Sequence, residues 1–479
     1  MKTISTFILI LIVLISQHII GKAFSNEEKK SQQINTYMHD IMQTHQIPGA
    51  ALAIIKDGKI IHEQYYGKAS LEKNTPVTKN TMFRVYSTTK LITATAIFQL
   101  IEKEKITLND FVHDHLTYIP TAWKAIQIKH LLTHSSGLPD MIHYDSHQSD
   151  KALLTELAKE KMLFDAGERF TYNQTNYWLL ALIIKKVTGV SFDDYVLKNQ
   201  FLSPKSGVLF SSNSNESIPN RIAKYSFDYK KNQFVGATDD YGIRAHSGNG
   251  LNITLQELIK WNQNFDNNTF LQKNTKNLMW SDFSFKDQKS KFLHGWGLYP
   301  IQNKMSIGFT GGGVSGFRKF VDDDMTIIIL TNGFKYYPVH NKIINHIAGI
   351  VNPTYIDKES IIKEQVTNGF FNLTTDKAIE NYTKISNKNP NTNFERTLNR
   401  IGYAMAKSRI EDAIKIFELN VREYPDSWNV YDSLGEGHEI NKNYKASVEF
   451  YKKSVERNPE NKHGVQKIKE LESKLKNVK

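Results

Sequence analysis

RVYSTTKLITATAIFQLIEKEKI, the stretch from Arg84 to Ile106, decides how this chain is read. It places Ser87 three residues before Lys90, at the head of a run that is apolar on most sides. Leu91, Ala94, Ala96, Ile97, Leu100 and Ile101 are the composition of a buried helix. Residues i and i+3 share a face at the first turn of a helix, so Lys90 can reach toward the Ser87 oxygen. A serine hydroxyl needs such a neighbour, because it is a poor nucleophile until another group takes its proton. The helix N-terminus adds free N–H groups and positive potential where an oxyanion would develop. The tetrad Ser-x-x-Lys is weak evidence alone, since it recurs at Ser70–Lys73 and Ser473–Lys476. Ser70 lies in a loop before Pro76, and Ser473 lies on a polar tail helix. Of the three, Ser87 alone opens a long apolar helix.

Outward from this helix, the text on both sides reads as sheet. Residues 50–69 form two β-branched runs around Asp57-Gly58, a strong hairpin dipeptide. Thr254 and Glu257 make a capping-box pattern that starts a later helix. DDDMTIIILTNG, closed by Asn332-Gly333, has the continuous β-branched character of a central strand. Strands at both ends with helices between them predict one α/β domain, in which N- and C-terminal segments close a sheet covered by helices.

The chain has 479 residues, which favours two domains. Its 40% hydrophobic and 11% aromatic content is that of a folded protein. The formal charge of +12 suits an anionic neighbour such as a membrane surface or wall polymer. The lysines are nevertheless dispersed, and no zinc-finger or homeodomain signature appears, so nucleic acid is not an expected partner. At the N-terminus one lysine precedes an apolar run from Phe7 to Ile15, followed by small residues at Gly21 and Ala23. This predicts a secretory signal at residues 1–23, and an exported, periplasmic or extracellular protein. A membrane contact is expected only if that segment stays uncleaved. The absence of cysteine excludes disulfides, thiol catalysis and lipoprotein attachment.

Beyond residue 352 lysine, asparagine and glutamate rise and a repeat emerges. Ala378, Tyr382 and Pro390 share their spacing with Ala413, Phe417, Pro425 and with Ser447, Tyr451, Pro459. Tyr431, Leu434 and Gly435 supply first-helix positions in the last unit. The pattern resembles the tetratricopeptide repeat, in which small residues let two helices approach and aromatics fill the groove between units. The expected organisation is therefore a signal at 1–23, an α/β domain at 24–352 and an all-α helical-repeat domain at 353–479. The repeats are expected either to cap the first domain or to receive a protein partner.

Several blocks, in order over residues 32–350, resemble serine hydrolases related to class C β-lactamases and penicillin-binding proteins. They are IPGAALAIIKDGKI, FRVYSTTKLITATAIFQL, IKHLLTHSSGLPD, FDAGERFTYNQTNYWLLALIIKKVTGVSFDDYV, HGWGLY and FTGGGVSGF. The resemblance implies a β-lactamase-like fold, an acyl-enzyme on Ser87 and a small-molecule, peptide or ester substrate. It implies no metal and no organic cofactor, and no histidine pair has the spacing of a zinc site. The family's Tyr-x-Asn maps to Tyr172-Asn173-Gln174. This implies that Tyr172 is the general base beside Lys90, and that Gln174 takes the substrate-binding amide's place with a longer arm. The third motif, usually Lys or His, then Thr or Ser, then Gly, reads Phe309-Thr310-Gly311-Gly312. By resemblance the oxyanion hole uses the N–H groups of Ser87 and Gly312, with Thr310 and Gly311 beside the substrate.

Phe309 departs furthest from the pattern, since a phenyl ring can neither shuttle a proton nor attract a carboxylate. Either it simply packs while Arg318 or Arg244 supplies the cation, or the site favours neutral acyl groups. His130 and His134 are expected to be structural, and Arg318 a solvated strand residue. The favoured reading is an exported serine hydrolase acting on a neutral ester or amide. Its rivals are a catalytically weakened binding or sensor protein, and a β-lactamase or D-alanyl-D-alanine carboxypeptidase.

Overall fold

The computed structural model describes residues 26–201 and 207–477, so the expected signal segment lies outside the described residues. The hairpin expected around Asp57-Gly58 forms strands β1 (Gly49–Lys56) and β2 (Lys59–Ser70). Both turn residues have positive φ, at 50° and 72°, as the right-handed twist of the strands requires. A short strand β3 (Thr75–Pro76) borders β2, so Ser70 ends a strand and does not sit in a free loop. Four later strands, β4 (Gly297–Ile301), β5 (Lys304–Gly311), β6 (Ser315–Phe320) and β7 (Met325–Thr331), complete the sheet.

The sheet has seven strands in the order β3-β2-β1-β7-β6-β5-β4, and its neighbours pair antiparallel. Chain ends close it as the sequence predicts: β1 lies against β7, with Leu52 opposite Ile329. These two central strands are buried on both faces, which explains their continuous apolar text. Ala51, Ala53, Ile328 and Leu330 serve one core, while Leu52, Ile54, Ile327 and Ile329 serve the other.

Helices α1 (Asn26–His45), α2 (Thr89–Glu102), α3 (Thr175–Thr188), α4 (Leu255–Asp266) and α5 (His340–Val351) cover the two faces. α2, α3 and α4 belong to the first core, α1 and α5 to the second. Half of the expected capping box forms: the Thr254 hydroxyl accepts the Glu257 N–H at 3.3 Å, while the Thr254 N–H donates to the Gly207 carbonyl at 2.9 Å and Glu257 pairs with Lys260.

Downstream the chain is all helical: α6 (Lys358–Asn372), α7 (Thr375–Lys388), α8 (Glu395–Ala406), α9 (Ile410–Glu423), α10 (Trp428–Ile440), α11 (Tyr444–Arg457) and α12 (Lys462–Asn477). α7, α9 and α11 each end two residues before a proline, Pro390, Pro425 and Pro459. Ala378, Tyr382, Ala413, Phe417, Ser447 and Tyr451 are all buried. The approach between helices is close: a Cβ on Gly402 would stand 2.4 Å from the Phe417 ring. The tail docks on the α/β part through aromatic contacts, with Phe371 stacked on Tyr336 at 3.8 Å and edge-on to His45. Among the described residues no helix is long and apolar enough to cross a membrane.

Candidate active site

Ser87 stands in a single 3₁₀ turn, Tyr86–Thr88, that runs directly into α2. The residue before it, Tyr86, has φ of +46°, a left-handed backbone that costs energy at a bulky side chain. Its ring is fixed in return. The Tyr86 hydroxyl donates to Asp239 at 2.9 Å, and the same carboxylate receives Arg84 at 2.5 Å and Lys224 at 2.6 Å.

The end of β5 presses on this turn. A Cβ on Gly311 would lie 2.7 Å from the Ser87 nitrogen and 2.1 Å from the Val85 carbonyl oxygen. At Gly312, where φ is +55°, a Cβ would lie 2.6 Å from the Tyr86 ring. Both positions therefore favour glycine, Gly311 because strand and turn are in backbone contact, Gly312 because of its positive φ and the Tyr86 ring.

Tyr172 lies just ahead of α3 and donates its phenolic hydrogen to Ser87 Oγ at 2.7 Å. Lys90, fully buried, donates to Gln174 Oε1 at 3.0 Å and to the Gly248 carbonyl at 2.9 Å. Its ammonium is 4.9 Å from the ring centroids of both Tyr172 and Tyr177. Burial alone would raise the Tyr172 phenol, but the Lys90 charge and hydrogen bonds involving Lys90, Ser87 and Gln174 outweigh it. The net effect holds Tyr172 below its ordinary value of 10.0. Ser87, Tyr172, Lys90 and Gln174 thus form one connected network, in which Lys90 acts on the serine through tyrosine. The carbonyl of Gln174 is engaged with that lysine.

Sequence reasoning gave His134 too small a place. It is buried against Tyr172, with ring centroids 4.6 Å apart, and against Tyr177 at 5.2 Å. Its Nδ1 accepts the Asn173 backbone N–H at 3.2 Å, which fixes the loop carrying Tyr172. Burial, aided by Lys90, pushes its pKa well below 6.5, so it stays neutral and keeps that acceptor. The Gly248 carbonyl was also missed, because a backbone acceptor far along the chain leaves no side-chain signature. A Cβ on Gly248 would approach Gln174 Oε1 at 3.1 Å and Lys90 Nζ at 3.2 Å.

Phe309 is buried in β5 and packs among rings: Phe292 at 6.0 Å and Tyr172 at 6.3 Å. Thr310, half-buried, faces Gly316 across the strand pair. Neither arginine stands in for the missing cation. Arg318 is not solvated; it is 1% exposed, stacked on Tyr299 at 3.4 Å and bonded to Ser306 and Asn341. Asn341 belongs to α5, so this guanidinium lies on the far side of the sheet. It is buried because residue 318 alternates with the core-facing Phe317. Arg244 is held by Asp150 at 3.2 Å and by the carbonyls of Asp145 and Gln148.

The seven-stranded antiparallel sheet flanked by helices is the β-lactamase-like α/β fold. The chain belongs to the beta-lactamase family, whose profile matches residues 34–350. It is similar to Protein flp of Staphylococcus aureus (strain MRSA252), 26% identical over 368 residues, covering 70% of this chain and 72% of that protein. Penicillin-binding protein 4* of Bacillus subtilis (strain 168) is 27% identical over 336 residues, covering 64% of this chain and 72% of its own. The octameric penicillin-binding protein homologue of Pyrococcus abyssi has the same fold, with a TM-score of 0.57 at 24% identity over 70% of this chain and 80% of that one.

Proposed function

We propose that this chain is an exported serine hydrolase that forms an acyl-enzyme on Ser87 and favours neutral ester or amide substrates. The observation that carries this reading is the 2.7 Å bond between Tyr172 and Ser87, backed by the buried Lys90. With Tyr172 as phenolate beside the Lys90 ammonium, that bond reverses and Ser87 donates. The serine oxygen attacks the substrate carbonyl, and its proton passes to Tyr172 and then to the departing alcohol or amine. The N–H groups of Ser87 and Gly312 receive the oxyanion. Water, deprotonated by the same pair, then cleaves the ester and restores the serine.

Phe309 supports the preference for neutral acyl groups. It gives the cleft an aromatic wall, whereas hydrogen bonds from a cation to a substrate carboxylate contribute roughly 1.5–3 kcal/mol each. The apolar run from Phe7 to Ile15 within residues 1–23 supports export, and the proline register supports tetratricopeptide-like repeats in the helical tail.

A fluorophosphonate probe, with Ser87→Ala as control, tests the nucleophile; labelling that persists in the variant ends the assignment. Substrate class is read from kcat/KM on p-nitrophenyl butyrate against a chromogenic cephalosporin. The ester should be favoured by about a hundredfold, near the free energy of one or two lost charged contacts. Efficient cephalosporin turnover would overturn the substrate argument.

A further inference from the structure

Asp239 lies outside every motif legible in the sequence, yet its carboxylate gathers four donors. Oδ1 accepts from Arg84 at 2.5 Å and from the Ser214 hydroxyl at 2.6 Å. Oδ2 accepts from the Tyr86 hydroxyl at 2.9 Å and from Lys224 at 2.6 Å. Burial would raise this carboxyl, but hydrogen bonds from Lys224 and Ser214 and the charges of Arg84 and Lys224 hold it below its ordinary 3.8. The segment that carries it is tied down. The Asp239 carbonyl accepts the Ser214 N–H at 2.8 Å, and the Tyr241 N–H reaches the Ser212 carbonyl at 3.1 Å.

Two of the four donors sit immediately upstream of the nucleophile. Tyr86 is the residue held at a φ of +46°. The peptide joining it to Ser87 is planar, so rotation about the Tyr86 backbone bonds decides where the Ser87 N–H points. A bulky residue keeps a left-handed backbone only where its surroundings over-determine it. Here the Arg84 guanidinium and the Lys224 ammonium stand 4.4 Å and 4.6 Å from the ring centroid, while the hydroxyl is fixed on Asp239. The same ring backs Gly312, whose added Cβ would lie 2.6 Å from the ring's Cγ. One side chain thus adjoins both N–H groups assigned to the oxyanion. Arg84 extends the hub further: it donates to the Asn249 carbonyl at 3.1 Å and to Asn249 Oδ1 at 2.8 Å, next to the Gly248 carbonyl that holds Lys90.

We propose that Asp239 is a positioning residue for acyl transfer: by anchoring the Tyr86 ring it orients the Ser87 N–H and supports Gly312, the two donors of the oxyanion hole. The role rests on the acyl-transfer reading of Ser87. It also has a definite sign. Acting by charge alone, a carboxylate near a developing oxyanion would slow the reaction, and its removal would speed it. Acting through Tyr86, its removal slows the reaction.

Turnover of p-nitrophenyl butyrate and the rate of fluorophosphonate labelling, both on full-length protein, test the proposal. Outright loss of one oxyanion donor costs about a hundredfold or more in kcat, so misplacement of one should cost about tenfold to fiftyfold. That loss is expected in Asp239→Ala, with KM changed by less than about threefold and labelling slowed in step with kcat, because the interaction is made in the transition state. Tyr86→Phe, which keeps the ring and removes its anchor, should lose a similar factor. The double variant should lose little more, since both changes cut one connection. Wild-type or faster kcat in Asp239→Ala overturns the role. So does wild-type kcat in Tyr86→Phe, or a loss that falls on KM. If Asp239→Ala is poorly folded by circular dichroism, Tyr86→Phe alone decides. A wild-type protein never labelled at Ser87 would remove the acyl-transfer reading itself, whereas labelled wild type with unaltered variants removes the positioning role alone.

Discussion

The two faces of the seven-stranded sheet treat charge differently. On the Ser87 face the buried cations are all engaged. Lys90 meets Gln174 and Gly248, Arg84 meets Asp239 and Asn249, and Lys319 meets Asp266 at 2.6 Å. On the opposite face the buried Arg318 is bonded to Ser306 and Asn341, while the half-buried Lys342 and the exposed Arg400 lie by the Tyr337 ring without an ion pair. A buried charge without a partner is costly, and the two cations that lack an ion pair are ones that water still reaches. One face is therefore an electrostatically finished device, whose parts orient one another. The other pairs its buried cation as well and leaves its unpaired ones at the solvent edge.

The sharpest way to break this contrast is to dismantle the finished face. Ser87→Ala, Lys90→Ala and Tyr172→Phe should each lower kcat on a neutral ester by about a thousandfold or more. Double variants should lose little beyond the single ones, because groups acting as a unit give non-additive losses. Lys342→Gln and Arg400→Gln should leave the same kcat unchanged. Additive losses among Ser87, Lys90 and Tyr172 would mean that the network seen in the structure does not act as one.

Gly312→Ala probes the backbone part of that face with a smaller expected effect. Its new methyl group would meet the Tyr86 ring at 2.6 Å, in a backbone conformation that alanine disfavours. The ring or the strand end must move, and with it the proposed oxyanion donor. Removal of one such donor typically costs a hundredfold or so in kcat, so about that loss is expected, with KM little changed. A variant with wild-type kcat would remove Gly312 from the oxyanion hole.

Much of the Ser87 face was legible in the sequence because its information is local. Ser87 and Lys90 lie one helical turn apart, Tyr172 and Gln174 two residues apart, and the glycines adjoin Phe309. The central strands were legible for a similar reason, since burial on both faces removes polar alternation from the text. What stayed hidden depends on distant segments meeting. The Gly248 carbonyl, the Asp239 hub and the far-side burial of Arg318 each rest on contacts spanning tens to hundreds of residues. The cavity where α1 and α5 meet α6 and α8 is the extreme case. Its walls come from helices spread between residues 26 and 406, and no one of them carries a motif.

The smallest expected effect compares the faces by acidity. Both bury neutral histidines: His130 and His294, at about 4, on the Ser87 side; His340, at about 4, and His45, at about 3, on the other. Desolvation is the leading cause in each case, so the folded state holds these rings uncharged while the unfolded chain protonates them near 6.5. Above that pH neither state takes up the proton, and the full stability is present. As pH falls from 6.5 toward 4 the unfolded state binds more protons, and each histidine then removes about 1.4 kcal/mol per pH unit. Below about 4 the rings that titrate there charge in the folded state as well, and their loss levels off. Urea midpoints between pH 7.5 and 4.5 should therefore decline, with most of the fall below 6.5. His294→Asn and His340→Asn should each flatten the slope by about one proton, whichever face is altered. His340 should also cost stability at neutral pH, because its Nε2 is bonded to Thr331 Oγ1 at 3.0 Å in the buried sheet. If only one of the two variants changes the slope, the faces differ in burial as well as in charge pairing, and water has access to one of the two cores.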